Sequence, residues 1–438
     1  MEQDGFIVRD KGHMMGHQSP MRESMSGNMK GVLAVFGCCL AVFWPGALTF
    51  GFPGVMAPLW QTMFDVGRAA TGMAIFFMLA AVGIFMFLVG RWQERYGMRR
   101  MIALGVILTA LGTVFVAFAQ SIAMIYAWAF FNGLASCFVY IPALTTVQYW
   151  FPWKKGFVSG IVSMVFGLSA AIMSPLFGMM LTSQGYERMI LTIAALTLIT
   201  GLAGALFSKA PSRDEMIGIA DDESAKSREV SAKLMRDENG SLSVQESLHT
   251  RSFWFLWITW TLAGAAGVSM TLLSTSYGLS KGFAMESAIL ILTAFNLTNG
   301  MGRLVSGYFS DKIGQNHIMS MTFLAAGIAY FALPWADGLA ACAFLAATVG
   351  FAFGTLFSVS APLVADCFGL KHFGAIFGLS FAAYGFIAGP LGPALSGYLL
   401  DATGDNFFLV FLYLGIFFII SSFCVRFVVP SRHRHGED

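Results

Sequence analysis

The sequence predicts an all-α membrane protein: twelve transmembrane helices in two pseudo-symmetric six-helix bundles. Three observations lead there. The chain is 57% hydrophobic and 11% charged, whereas soluble domains carry roughly a quarter charged residues. Twelve apolar runs each approach the ~20 residues that a spanning helix needs. Finally, a short polar motif recurs 217 residues apart, at the end of one apolar run in each half.

The runs fall in two sets of six. The first lies at 32–58, 70–90, 101–119, 122–148, 157–182 and 187–208; the second lies at 253–275, 285–309, 318–336, 339–363, 373–400 and 406–428. They are too long for strands and lack strict alternation, so a barrel is excluded. The 48 glycines suit close helix approach in lipid. The expected domains are an N-terminal tail (1–30), a bundle (31–208), a charged linker (209–251), a second bundle (252–428) and a short tail (429–438). The linker contains Pro211, Asp221-Asp222-Glu223 and Asp237-Glu238 and reads as a flexible tether.

Basic residues orient the chain. With both termini cytoplasmic, 22 of the 26 bases lie inside and only Arg68, Arg188 and Lys281 lie outside; Arg303 is left over, within a span. A multi-pass protein of the cell (inner) membrane is the expectation. The first 30 residues are polar and mixed in charge, unlike a signal peptide.

The duplicated motif reads Gly90-Arg91-Trp92-Gln93-Glu94-Arg95-Tyr96-Gly97 and Gly307-Tyr308-Phe309-Ser310-Asp311-Lys312-Ile313-Gly314. Gly160, Gly167 and Pro175 in span five match Gly378, Gly385 and Pro393 in span eleven at an offset of 218, and Lys154 matches Lys371 at 217. Repeated halves are the ground plan of many secondary transporters. Proline and glycine in spans one, five and eleven loosen the backbone ladder where helices can bend around a cavity.

The two short loops resemble the signature of the major facilitator superfamily, glycine–x–x–x–acid–base–x–glycine after spans two and eight. That resemblance covers essentially the whole chain and implies two six-helix halves around a central cavity. Three further stretches resemble the oxalate:formate antiporter and monocarboxylate transporter branch. They are Trp150-Phe151-Pro152-Trp153-Lys154-Lys155-Gly156 with Ser159-Gly160-Ile161, Asn299-Gly300-Met301-Gly302-Arg303, and Phe368-Gly369-Leu370-Lys371-His372-Phe373-Gly374 with Gly389-Pro390. The resemblance implies that the span-eight arginine, here Arg303, binds the substrate carboxylate. This chain departs from the branch twice. Span eleven lacks the internal lysine of oxalate exchangers, and Asn299 stands where animal monocarboxylate carriers have an aspartate.

Arg303 is also singled out by its own chemistry. Its counterpart in the first half is Met86, and a charge at mid-bilayer costs at least ~2.5–3.5 kcal/mol on insertion scales. A guanidinium stays charged and offers a planar fork that fits a carboxylate. The expectation is an anion clamp facing the path between the bundles. The alternatives are snorkelling to the inner interface, four residues before Gly307, or pairing with Asp366. Asn296 and Asn299 share its helical face, and their counterparts are Leu79 and Val82. Tyr140 and Tyr384 are candidate phenolic donors to the same carboxylate, with packing as the alternative. Asn132, Gln148 and Trp44 have weaker claims. Glu94-Arg95 and Asp311-Lys312, with Gly90 and Gly307, read as a latch at helix ends that stabilises one access state.

One cavity cation matches one negative charge, which favours a small monocarboxylate of the lactate, pyruvate, acetate or formate type over a dianion. Proton-linked symport ranks ahead of anion exchange on the resemblance alone. The expected partners are therefore a small organic anion, protons and the lipid bilayer, with the monomer as working unit. A net charge of +2 gives no reason to expect a nucleic acid. A carrier-fold sensor of another class would be expected to carry a large appended domain. The chain has no GxxxxGK[ST] phosphate loop, no HExxH and no Ser/His/Asp set, so neither an enzyme nor an ATP-driven pump is expected. The six cysteines, mostly in apolar runs, and the tail residues His13, His17, His433 and His435 give no metal or cofactor site.

Overall fold

A computed structural model describes residues 20–151, 155–212, 242–369 and 372–429 of the 438-residue chain. Among them, twelve helices are long and apolar enough to cross a membrane. They are Met29–Phe64, Arg68–Met86, Met98–Ala117, Ile122–Trp150, Phe157–Gln184 and Tyr186–Phe207, then Arg251–Ser280, Met285–Ser310, Gln315–Trp335, Leu339–Phe368, Ile376–Thr403 and Phe407–Arg426. These are spans one to twelve, close to the expected runs. The regular structure of the described residues is entirely helical. Residues 1–19, 152–154, 213–241, 370–371 and 430–438 lie outside the described residues, as do the side chains of Glu94 and Asp311.

The helices turn where left-handed glycines permit it. Gly97 and Gly314 end spans two and eight at φ +83° and +95°, a conformation that costs other residues energy. They are the closing glycines of the duplicated motif. Span nine ends in a 3-10 turn at Leu333–Trp335, and two other helices contain π-helical turns. Span one contains a π-helical turn at Ala47–Gly51, and span eleven contains two, at Tyr384–Ala388 and Pro390–Ala394. Pro45 precedes the first, and Pro393 lies in the last. Such turns loosen the backbone ladder and often mark functional positions.

The halves meet where span five packs on span eight, span two on span eleven, and span one on span seven. The repeat is visible in these contacts. Gly133 packs on the carbonyl group of Met78, and Gly350 packs on that of Phe295, both partners being 217 residues apart. The crossing between the halves is repeated too: a Cβ on Gly167 would lie 3.0 Å from Gly300 Cα, and one on Gly385 would lie 3.0 Å from Gly83 Cα.

The crossings loosen toward the end that carries the termini. Along span five, a Cβ on Gly178, Gly167 and Gly160 would find its nearest neighbour in span eight at 2.5, 3.0 and 3.8 Å. Along span eleven the same test gives 2.7 Å at Gly389 and 3.0 Å at Gly385, and nothing within 4 Å at Gly378. The far end is pinned as well as packed. The Asp401 carboxylate accepts from the backbone N–H groups of Arg68 and Ala69, at 3.0 and 3.1 Å. Arg68 also forms an ion pair with Asp405. The first half and the second thus join in one polar clasp at the far end and diverge at the other.

Candidate functional site: a guanidinium between the two halves

Span eight runs as an unbroken helix from Met285 to Ile313, with Glu286 in its first turn and Lys312 in its last to complement the helix dipole. Asn296, Asn299 and Arg303 fall on one face of it and are 0%, 0% and 3% exposed. Glycines bring that face close to its neighbours. A Cβ on Gly300 would sit 2.8 Å from the backbone nitrogen of Leu168 in span five, and one on Gly302 would sit 2.7 Å from the carbonyl oxygen of Phe351 in span ten.

The guanidinium reaches out of the second half into the first. Its Nη1 donates to Ser163 Oγ at 3.0 Å and to the Ser163 carbonyl at 3.4 Å, both in span five. Nε donates to Asn299 Oδ1 at 3.4 Å. The ring of Phe357 in span ten lies 4.6 Å from its central carbon, and that of Phe50 in span one lies 5.8 Å away. Ring faces carry negative charge density and partly offset a desolvated cation. Nη2 is buried with no partner, and so is Asn299 Nδ2. Buried unpaired donors are costly, and two on adjoining side chains leave this face ready to bind oxygen acceptors.

The remaining candidates gather around the same point. Tyr140 in span four donates to Ser163 Oγ at 3.1 Å, so one hydroxyl oxygen receives both the phenol and the guanidinium. Asn296 Nδ2 donates at 3.4 Å to the carbonyl of Phe50, in the π-helical turn of span one, and its Oδ1 is unpartnered. Tyr384 is 2% exposed, with an unpartnered hydroxyl, and its ring packs edge-on against Phe357 at 5.5 Å. It stands at the start of a π-helical turn.

One expectation needs correction, and the two alternatives for Arg303 fall away. Arg303 neither snorkels to a helix end nor pairs with Asp366, whose carboxylate accepts from Gln315 at 2.8 Å. Arg303 does face the seam between the halves, but it is closed over there rather than open to water. Tight packing of spans five, eight and ten seals it. Of the weaker candidates, Trp44 donates to Thr200 of span six and Gln148 to Ser159, while Asn132 contacts Met78. These contacts lie within the first half. At the inner helix ends, Arg95 lies over the ring of Tyr96, and Lys312 lies 4.4 Å from the ring centroid of Tyr308. Their acidic neighbours Glu94 and Asp311 lie outside the described side chains. Among the described residues no group of His, Cys, Asp and Glu could hold a metal.

Ser163, Phe357 and Phe50 were not singled out from the sequence. Comparison of the halves carried a signal for the first two. Ser163 corresponds to Phe381 at the span-five offset, so its polarity is one-sided. Phe357 corresponds to Tyr140, and Tyr384 corresponds to Phe166. Tyr140–Phe166 and Phe357–Tyr384 are therefore the same ring pair, at 4.8 and 5.5 Å, set on either side of one unduplicated arginine.

A family model of the Major Facilitator Superfamily matches residues 38–353 and 282–438. The chain belongs to the Major Facilitator Superfamily. It is therefore a multi-pass membrane transporter rather than an enzyme. Among curated superfamily members, an oxalate:formate antiporter from Oxalobacter formigenes is 27% identical over 350 residues, covering 79% of each chain. Monocarboxylate transporter 13 of Bos taurus is 25% identical, over 75% of this chain and 73% of that one. Monocarboxylate transporter 11 of Homo sapiens is 27% identical, over 76% and 69%. Among solved superfamily folds, a bacterial homolog of the human lysosomal transporter Spinster superposes with a TM-score of 0.68. It is 14% identical and covers 94% of this chain and 97% of its own. That likeness concerns the fold alone.

Proposed function

We propose that this transporter moves a small monocarboxylate anion across the membrane by alternating access, and that Arg303 is its carboxylate clamp. The observation that carries this reading is the position of the guanidinium. It is rooted in span eight of one half and bonded to span five of the other, with Nη2 and the neighbouring Asn299 Nδ2 unpaired. A carboxylate is the ligand that such a fork accepts in two places at once. Tyr140 and Tyr384 would donate to the same group, and Asn296 Oδ1 would accept a hydroxyl on the substrate.

Charge counting supports a monoanion. Among the described residues, Arg303 is the basic side chain around which these candidates gather, and a dianion there would keep one charge uncompensated in a low-dielectric site. Both termini are placed on the cytoplasmic side by the basic-residue bias. The looser packing of the halves toward that end then corresponds to a state closed on the outer side, with Arg303 still occluded between the halves. Coupling to protons, action as a monomer and residence in a cell inner membrane belong to the same proposal.

Counterflow in proteoliposomes with radiolabelled C1–C4 acids, with and without a pH gradient, tests it. Uptake of a monoacid that is enhanced by an acid exterior and abolished in Arg303→Lys is the expected result. Near-normal transport by Arg303→Lys would remove the clamp, because lysine keeps the charge but loses the fork. The similarity to an oxalate:formate antiporter favours a second reading, anion exchange including oxalate. Oxalate outcompeting every monoacid would establish that reading over the first.

A further inference from the structure

A carrier with a buried fixed cation faces a problem on its empty return. With no anion bound, the guanidinium must pass through the closed state uncompensated, and a charge left alone in low dielectric is expensive. Carriers that cannot meet this cost are confined to exchange, because only the loaded form reorients. The contacts of Arg303 indicate how this chain meets it.

Ser163 Oγ receives two hydrogen bonds, from Arg303 Nη1 at 3.0 Å and from the phenol of Tyr140 at 3.1 Å. An oxygen that accepts at once from a guanidinium and a phenol is doing what one oxygen of a bound carboxylate would do. The Ser163 carbonyl adds a second acceptor for Nη1 at 3.4 Å. The serine belongs to the first half and the arginine to the second, so this contact spans the seam that must open and close. The rings of Phe357 and Phe50 shield the same cation from the second half and the first.

We propose that Ser163 is a built-in surrogate ligand: its hydroxyl holds the carboxylate-oxygen position in the empty carrier, so that the unloaded protein can close around Arg303 and return. Arrival of the anion displaces Ser163 Oγ from Arg303 and Tyr140, and the carboxylate takes over the bridge between the halves. Ser163 is thus a positioning residue whose presence favours net transport over obligatory exchange. The inference rests on the reading of Arg303 as the anion clamp and goes beyond it by assigning the empty state.

The experiment compares two fluxes in the same proteoliposomes, using whichever of formate, acetate, lactate, pyruvate and oxalate the wild-type protein carries. One is efflux of the labelled acid into acid-free buffer, which requires the empty return. The other is efflux into buffer containing the unlabelled acid, which does not. Wild type is expected to support both. Ser163→Ala is expected to lower the ratio of net efflux to exchange about 10-fold, and to lower the acid concentration for half-maximal exchange, because the competing hydroxyl is gone. Ser163→Thr keeps the hydroxyl and is expected to restore net efflux. Wild type that performs exchange alone would overturn the proposal. So would equal losses of net and exchange flux in Ser163→Ala, or no loss in either. Failure of the clamp reading looks different: Arg303→Lys would then keep near-normal exchange, or no acid in the panel would be carried by wild type.

Discussion

Asp401 caps a helix in the other half of the molecule, and removing it should shift the balance between access states. Span two begins at Arg68 after Gly67, which has no side chain to cap it. The Asp401 carboxylate, from span eleven, accepts the first two N–H groups instead, at 3.0 and 3.1 Å. Loss of an N-cap acceptor costs about 0.5–2 kcal/mol. Asp401 is exposed, and solvent screening places it in the lower part of that range. Asp401→Ala should therefore destabilise the state closed at the far end by about 1 kcal/mol, roughly a five-fold rise in the population open there. Asp401→Asn keeps one acceptor oxygen without the charge and should fall between the two. Spin labels on cysteines at Thr62 and Thr403, both exposed near the clasp, would read the far-end separation by pulsed electron resonance. A several-fold gain in a longer-distance component is the expected outcome. Identical distance distributions for wild type and Asp401→Ala would refute the reasoning, since the clasp would then not contribute to closure.

Three other outcomes follow from named contacts. Gly300→Val should cost about 1–3 kcal/mol by overpacking, because its Cβ would meet Leu168 Cγ at 2.5 Å; a lowered thermal midpoint in detergent checks this. Tyr384→Phe removes a buried hydroxyl that has no partner and keeps the ring packing. Stability should hold or rise by up to about 1 kcal/mol, while apparent affinity for the acid falls if that hydroxyl contacts substrate, as binding and thermal assays on one sample would show. Glu246 closes a capping box on the short helix Val244–Leu248, where its carboxylate accepts from the backbone N–H of Ser243. That bond, with a contribution from the Ser243 side chain, holds its pKa below the usual carboxylate value. The cap's contribution is thus present above the unfolded glutamate pKa of about 4.3 and is lost as pH falls through the lower folded value. The carboxyl-carbon NMR shift should titrate below the ordinary range in wild type and move only part of the way back in Ser243→Ala, which removes the hydroxyl but keeps the backbone N–H.

Most of the architecture was legible because lipid imposes simple rules. A spanning helix must satisfy its own backbone and present apolar side chains, so length and hydropathy locate it. Arg303, Asn296 and Asn299 were found by a second rule. Side chains that break a duplicated apolar pattern on one side have a local reason to be there. Ser163 satisfied the same rule against Phe381, yet a single serine in an apolar helix commonly bonds back to its own chain, and so gave little warning. The π-helical turns in spans one and eleven were anticipated only as bends at proline and glycine. The clasp of Arg68, Asp401 and Asp405 was not anticipated, because residues at helix ends more than 300 positions apart carry no periodic signal.

The sequence by itself determined that the chain crosses the membrane twelve times, that its halves repeat and that one guanidinium stands within a spanning segment of the second half alone. These are properties of single helices and of their order, set by hydrophobic length and by residue type at each turn. Only the tertiary structure decided what the guanidinium touches, which end of the molecule is clasped and which polar groups lack partners. Those outcomes depend on contacts across the seam between the halves, where glycines set the distance of approach and no residue's neighbour can be inferred from its own helix.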